Sequence, residues 1–268
     1  MRTSLLALSI GIFAGHACAL EPINSESRGL GGTVVLSNPS ASTQALVPTG
    51  GLDNRKWATE ASFDRRFELS ELDRITLAAA YRISPVTLSV GLSQFGDPDL
   101  YSEWSSRVGA AVHVDSLSLG IYMTNTIIGT GYYHRRMTYS TLGAGVSFRS
   151  TYILCAITAD NLTSPKPYAM ALAIEPVYSA FVEAKRGPHS TYSLTGRVTV
   201  EDKQKPQYGL GQKVRVSSLG SLLLGISTEP FEFGGGIELY HAGFALIWTT
   251  SHHPDLGLSY SAGIGLRK

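Results

Sequence analysis

The chain has 268 residues and a net charge of +1, from 22 Lys and Arg against 21 Asp and Glu. That balance carries none of the basic surplus that marks a nucleic-acid partner. Two cysteines in 268 residues exclude a disulfide scaffold. Beyond the N-terminus no run of about 18 apolar residues occurs, which excludes helical membrane spans, although 43% of the chain is hydrophobic.

The N-terminus reads as an export signal. Arg2 supplies a positive start, Leu5 to Ala14 an apolar stretch, and Ala17-Cys18-Ala19 a small-residue cleavage site, so residues 1–19 are expected to be removed. The apolar run is too short for a spanning helix. Gly15, His16 and Ala17 fit a lipoprotein signal poorly, which argues against lipidation of Cys18. One cysteine, Cys155, then remains.

Residues 20–56 are rich in Gly, Ser, Asn and Pro and read as an irregular N-terminal segment. From residue 57 to 268 the chain alternates apolar with small or polar residues, the period of a strand with two unlike faces. Ile75, Leu77, Ala79, Tyr81 and Ile83 form one apolar face, and Leu142, Ala144, Val146 and Phe148 another. Further candidates lie at 86–93, 104–115, 117–124, 151–160, 168–175, 178–186, 190–200, 207–217, 219–228, 231–239 and 241–250. The last candidate places Leu258, Tyr260, Ile264 and Leu266 on the lipid side and Gly263 on the other. A mean hydropathy of only +0.05 fits strands of which one face alone meets lipid.

These features predict an all-β fold, a transmembrane antiparallel barrel of about 14 strands in a bacterial outer membrane. Counting 57–67 yields fifteen candidates, one too many for a barrel with both ends on one side, and the stretch from 160 to 206 is where long and short connections fall out of phase. Ser84-Pro85, Ser116 and Ser150 read as tight turns on the periplasmic side. Gly96 to Glu103, Asn125 to Thr138 and Asp160 to Pro167 read as longer external loops. Trp57, Tyr81, Phe95, Trp104, Tyr139, Phe148, Tyr168, Phe231 and Trp248 are expected to form interfacial girdles.

The segment Arg28-Gly-Leu-Gly-Gly-Thr-Val-Val-Leu-Ser-Asn-Pro-Ser-Ala41 resembles the hatch signature of PorV/PorQ-like outer-membrane proteins. Pro48-Thr-Gly-Gly-Leu52 stands at the place of that family's second motif, with Val47 where the family has Asn. Phe231 to Leu239 and His253 to Tyr260 follow its closing order. The family lies within the superfamily resembling long-chain fatty-acid transporters. The resemblance implies a 14-stranded barrel whose N-terminal hatch includes Arg28, Gly29, Gly31, Gly32, Asn38, Pro39, Pro48, Gly50 and Gly51. It implies uptake of hydrophobic solutes or an attachment role in type IX secretion.

No catalytic set is present: G-x-S-x-G and H-E-x-x-H are both missing, and His252-His253 reads as a solvated loop rather than a metal site. No enzyme activity, metal or cofactor is expected. Arg74, Arg82, Arg107, His113, Asp115, Arg149, Arg197, Lys213, Arg215, Glu232 and Glu238 fall opposite the lipid-facing residues and are expected to face the lumen. Facing lipid would cost about 2–4 kcal/mol for each Arg or Lys near the midplane. Mixed signs fit a lumen held by ion pairs better than a permeation path. The expected partners are outer-membrane lipid, the barrel assembly machinery, and either a small hydrophobic ligand or a secretion component, with no nucleic acid. The function expected first is a channel or transporter for small solutes, hydrophobic ones among them. The alternative is a non-transporting attachment or assembly component of a type IX-like secretion system.

Overall fold

The fold was established from a computed structural model, which describes residues 24–37, 40–47, 55–131, 135–165, 173–186, 191–202 and 204–268. Fourteen antiparallel strands pair in chain order, and the last pairs with the first. They are β1 (Trp57–Arg65), β2 (Asp73–Ile83), β3 (Val86–Asp97), β4 (Tyr101–Val114), β5 (Leu117–Thr130), β6 (Arg135–Arg149) and β7 (Ile153–Asp160), followed by β8 (Val177–Lys185), β9 (Tyr192–Glu201), β10 (Gln207–Arg215), β11 (Gly220–Ser227), β12 (Glu232–His241), β13 (Phe244–His253) and β14 (Gly257–Arg267). Closure runs from Ala58 opposite Arg267 to Arg65 opposite Tyr260. A closed sheet leaves no strand edge with unpaired backbone groups.

Alternation becomes an inside and an outside. Ile75, Leu77, Leu119, Ile121, Leu142, Leu246 and Trp248 point outward and are exposed, whereas Thr76, Ala78, Thr124, Thr141, Ala245 and Thr249 point inward and are buried. In β14, Leu258 and Ile264 are exposed and Ser259 and Ser261 buried. The apolar surface therefore lies outside, the reverse of a water-soluble barrel. Among the described residues no helix is long and apolar enough to cross a membrane.

Both chain ends of the barrel lie at one rim, together with the turns at 84–85, 115–116, 150–152, 216–219 and 242–243. The opposite rim carries the longest connection, 161–176. The surplus strand candidate belongs there. Its described residues 173–175 are irregular and residues 168–172 lie outside those described, so the count falls to fourteen. Two other expectations need correction. Gly96–Glu103 and Asn125–Thr138 are mostly wall, because β3 meets β4 as far as Asp97 opposite Tyr101, and β5 meets β6 as far as Thr130 opposite Arg135. Their Thr, Tyr, Trp and Ile residues extend the strands, whose pairing satisfies the backbone.

The aromatic residues divide. Tyr81, Trp104, Phe148 and Trp248 point outward. Tyr139 is buried inside, opposite inward Thr126, and Phe95 shares the inward parity of Thr87 and Ser89, with the Arg74 guanidinium 5.1 Å from its ring. Both leave the expected girdle. Tyr168 and residues 1–19, where an export signal is expected, lie outside the described residues.

The outward face makes a direct prediction. Met123 is exposed in the central part of β5. Met123→Lys is expected to cost roughly 2–4 kcal/mol of stability in lipid vesicles. Leu100→Lys, in the turn between β3 and β4, should stay within about 0.5 kcal/mol. Equilibrium unfolding in vesicles measures both; equal costs would show that Met123 does not face hydrocarbon.

Candidate functional site

The lumen is occupied by the chain's own N-terminal segment. It contains two short helices, α1 (Ser25–Gly29) and α2 (Ala41–Leu46). The Asn24 side chain accepts from Ser27 N to cap α1, and Ser40 Oγ accepts from Thr43 N to cap α2. The Asn24 amide also donates to Ser42 Oγ at 2.9 Å, tying the two caps together. Between the helices, Gly31 has φ +64, a left-handed backbone suited to glycine.

Small wall residues let this segment approach the sheet. A Cβ on Gly225 of β11 would collide with the backbone of Leu30 and Gly31. Ser25 Oγ lies 2.8 Å from Ser261 Oγ, and Thr249 Oγ1 donates to the Ser25 carbonyl at 2.9 Å. A Cβ on Gly263 would meet Ser25 Oγ at 2.9 Å, so that position has filled space rather than open lumen before it. Apolar contacts recur as well. Val34, Leu36 and Val47 pack on Leu154, Ala156 and Phe181, and Leu30 and Val35 on Leu223 and Ile247. Leu154, Phe181, Leu223 and Ile247 thus point inward, against the simple scheme of apolar outside and polar inside.

Ion pairs join segment and wall at several places. Arg28 of α1 pairs with Asp64 of β1, donating from Nη2 to Oδ2 at 2.8 Å, and lies 3.7 Å from Glu232 of β12. Lys213 of β10 donates to Glu26 Oε1 at 2.6 Å and also pairs with Glu238 of β12, which Arg267 approaches at 3.3 Å. Ser37 donates to Glu183 from both N and Oγ, each at 2.6 Å. Arg149 donates to the Leu36 carbonyl at 3.4 Å. Arg107 pairs with Asp160 at 2.7 Å, its guanidinium 4.5 Å from the Tyr122 ring.

Of the charges assigned to the lumen, Arg74, Arg107, Lys213 and Glu238 are buried inside, and Arg82, Arg149, Arg197 and Glu232 are half-buried there. Half-buried His113 lies between Thr87 Oγ1 and Ser118 Oγ, each 2.8 Å from a ring nitrogen. Arg215 is exposed at the terminus-side mouth. Asp115 is a correction: it is exposed in the β4–β5 turn with φ +51, because the two-residue turn needs it there and the wall ends at Val114. Arg28, Gly29, Gly31 and Gly32 lie in the interior segment, whereas Asn38, Pro39, Pro48, Gly50 and Gly51 are outside the described residues. Sequence reasoning missed the carboxylates Glu26, Glu60, Asp64, Asp160 and Glu183. For Glu60 and Asp64 a signal existed, since they share strand parity with Ala58 and Ser62 on the buried face of β1.

Among the described residues, one cavity lies towards each rim. One, of about 590 Å³ including its open mouth, lies towards the loop rim and is lined by Arg28, Arg197, Gln207, Glu232 and Ser251. The other, of about 830 Å³ including its mouth, opens at the terminus rim beside Arg55, Arg215, Tyr240 and Arg267. Among the described residues no group of three His, Cys, Asp or Glu could hold a metal ion.

The architecture is therefore a closed, inside-polar barrel with an occupied lumen. No family model matches the chain, and no curated protein is similar to it. Solved structures share the fold. The toluene transporter TodX of Pseudomonas putida superposes with a TM-score of 0.63 at 7% identity, over 92% of this chain and 98% of that one. A TodX deltaS2S3 mutant, described as a monoaromatic hydrocarbon channel, gives 0.64 at 8% identity, over 92% and 98%. The outer membrane protein Omp33 of Acinetobacter baumannii gives 0.52 at 7% identity, over 80% and 98%. At such identities the likeness shows the fold. None of the three is described as a secretion component, and the secretion alternative gains no support from them.

The buried network makes a prediction. Lys213→Met would leave Glu26 and Glu238, respectively 1% and 0% exposed, short of a counter-charge. The cost should be about 3–5 kcal/mol. Adding Glu26→Gln should recover part of it, because one uncompensated charge goes. Unfolding midpoints in detergent give the comparison, and equal stability of Lys213→Met and wild type would remove the network from the structure's support.

Proposed function

We propose that this protein is an outer-membrane channel for small solutes, hydrophobic ones included, whose N-terminal segment is the hatch that closes the lumen. The observation that carries this reading is the nature of the seal. The hatch covers inward-facing Leu154, Phe181, Leu223 and Ile247 and is held by separate polar and ionic contacts, with a cavity against it on the loop-rim side. A hatch displaced from the wall would uncover an apolar surface in an otherwise polar lumen. A small apolar solute could take its place there, losing water on both partners. The exposed apolar belt supports residence in a bilayer, and a barrel with such a belt and both ends at one rim supports the outer membrane. That TodX is described as a toluene transporter agrees with this solute class.

Hatch displacement can be tested by locking it. Ser25 and Ser261 bring their Oγ atoms within 2.8 Å of each other. A Ser25→Cys/Ser261→Cys protein, made with Cys155→Ala, should form a disulfide on oxidation. In proteoliposomes the oxidised protein is expected to lose at least about nine-tenths of the uptake of a small aromatic hydrocarbon, and reductant should restore it. Uptake unaffected by the crosslink would rule out passage by hatch movement, and no uptake by wild type would rule out the channel.

A further inference from the structure

Among the described residues, the terminus-side cavity gathers more positive charge than the nearby carboxylates Glu26, Glu60 and Glu238 answer. Four cationic groups stand at or beside it: Arg55, Lys213, Arg215 and Arg267. Glu26 and Glu238 pair with Lys213, and Glu238 also with Arg267. Arg55 and Arg215 form no ion pair among the described residues. The contact of Arg215 is with the Tyr240 ring, 5.6 Å from its guanidinium carbon, a stacking that fixes the planar group while leaving its N–H donors available. Burial, and next the nearness of Arg267, push the Arg55 guanidinium below its ordinary value. Glu238 answers part of this charge, but cations held together in a half-enclosed space with fewer carboxylates than cations still repel one another, and an anion relieves that repulsion.

The surroundings share the sign. Lys56 and Lys268 adjoin the same rim, and Lys185 ends β8 there. The cavity's edge is apolar on the outer side, where Leu219 and Phe244 are exposed. Its opening thus lies between aqueous lumen and bilayer edge.

We propose that this cavity is a binding site for a phosphate-class anion, gripped by the guanidinium groups of Arg55 and Arg215. Guanidinium forks match phosphate oxygens two at a time, and such charge-assisted bonds are stronger than neutral ones. The phosphate arrives either free or as the headgroup of an anionic phospholipid from the adjoining leaflet, whose chains would run along Leu219 and Phe244. The site is independent of whether the hatch moves.

Titration calorimetry on the whole folded protein in neutral detergent, at constant ionic strength, tests the site with two probes. One is inorganic phosphate, and the other a short-chain phosphatidylglycerol, with short-chain phosphatidylcholine as reference. Wild type should bind at least one probe in preference to phosphatidylcholine. Binding of both identifies the anion alone as the ligand, and binding of phosphatidylglycerol only identifies a lipid site. Arg215→Gln should weaken binding about tenfold, and Arg55→Gln/Arg215→Gln should abolish it. Neither residue forms an ion pair within the Lys213–Glu238 network, so heat-modifiable migration should stay that of the folded barrel. Should the double variant not fold, Arg215→Lys serves instead, keeping the charge but losing the fork, and should still bind more weakly than wild type. Absence of binding to either probe, or equal binding by wild type and the arginine variants, overturns the proposal.

Discussion

A charge inside a closed barrel has to find its counter-charge inside it too, and the rest of this structure hangs on how Lys213 does so. Facing lipid, its ammonium would meet hydrocarbon; facing an empty lumen, it would sit in water and tie nothing together. It meets Glu238 from the neighbourhood of its own strand and Glu26 from the interior segment. One side chain therefore joins β10, β12 and α1, and through Glu238 the last strand as well, since Arg267 reaches the same carboxylate. A network with two carboxylates and two cations satisfies each member only while the segment stays in place, which couples the segment's position to barrel integrity.

The same economy of space governs the uncharged contacts. The segment is a folded piece of main chain, and main chain brings donors and acceptors that need partners once water is excluded. A wall hydroxyl supplies one, Thr249 donating to the Ser25 carbonyl, and wall hydroxyls also meet those of the segment, Thr195 beside Thr33 and Ser261 beside Ser25. Such contacts require close approach, and Gly225 gives it where the Leu30–Gly31 backbone crosses β11. A barrel interior of Ser, Thr and Gly thus serves as the docking face for a polar main chain, with apolar patches at Leu154–Phe181 and Leu223–Ile247 where Val and Leu of the segment come down.

The two mouths differ in character. The loop rim carries Glu68, Asp97, Asp99, Asp202 and Glu229 beside Arg66, Arg136 and Lys205, the last paired with Glu229, while the terminus rim carries Arg55, Lys56, Arg215 and Lys268 against Asp115. An anion is drawn more to the terminus rim than to the loop rim, and a neutral solute is indifferent to both. That asymmetry agrees with the proposed path for uncharged solutes in the lumen and with the proposed anion site at the terminus rim.

Alternation by itself determined most of the barrel, because a strand's side chains leave the sheet on alternate faces whatever its neighbours do. The outward Leu119–Ile121–Met123 row and the inward Arg107 and Lys213 were legible for that reason. The absence of wall strands from the described residues 24–37 and 40–47 was legible too, since Gly, Asn and Pro discourage long strands locally, whereas the helices α1 and α2 there were not expected from a segment read as irregular. Strand ends were not legible. Asn125 to Thr130 and Arg135 to Tyr139 look like a polar loop until each is set opposite the other, when pairing satisfies their backbone. Residues 168–175 looked like a strand, yet 173–175 are irregular, and the chain order of the barrel joins β7 directly to β8. Nor could the sequence say that Tyr139 and Phe95 turn inward, or that Leu223 and Ile247 are covered from inside. The partners of the lumen charges were equally out of reach, for Lys213 and Glu26 lie 187 residues apart. Local pattern sets the face on which a residue stands; which residue stands across from it depends on closure and on the segment folded within, and those exist only in three dimensions.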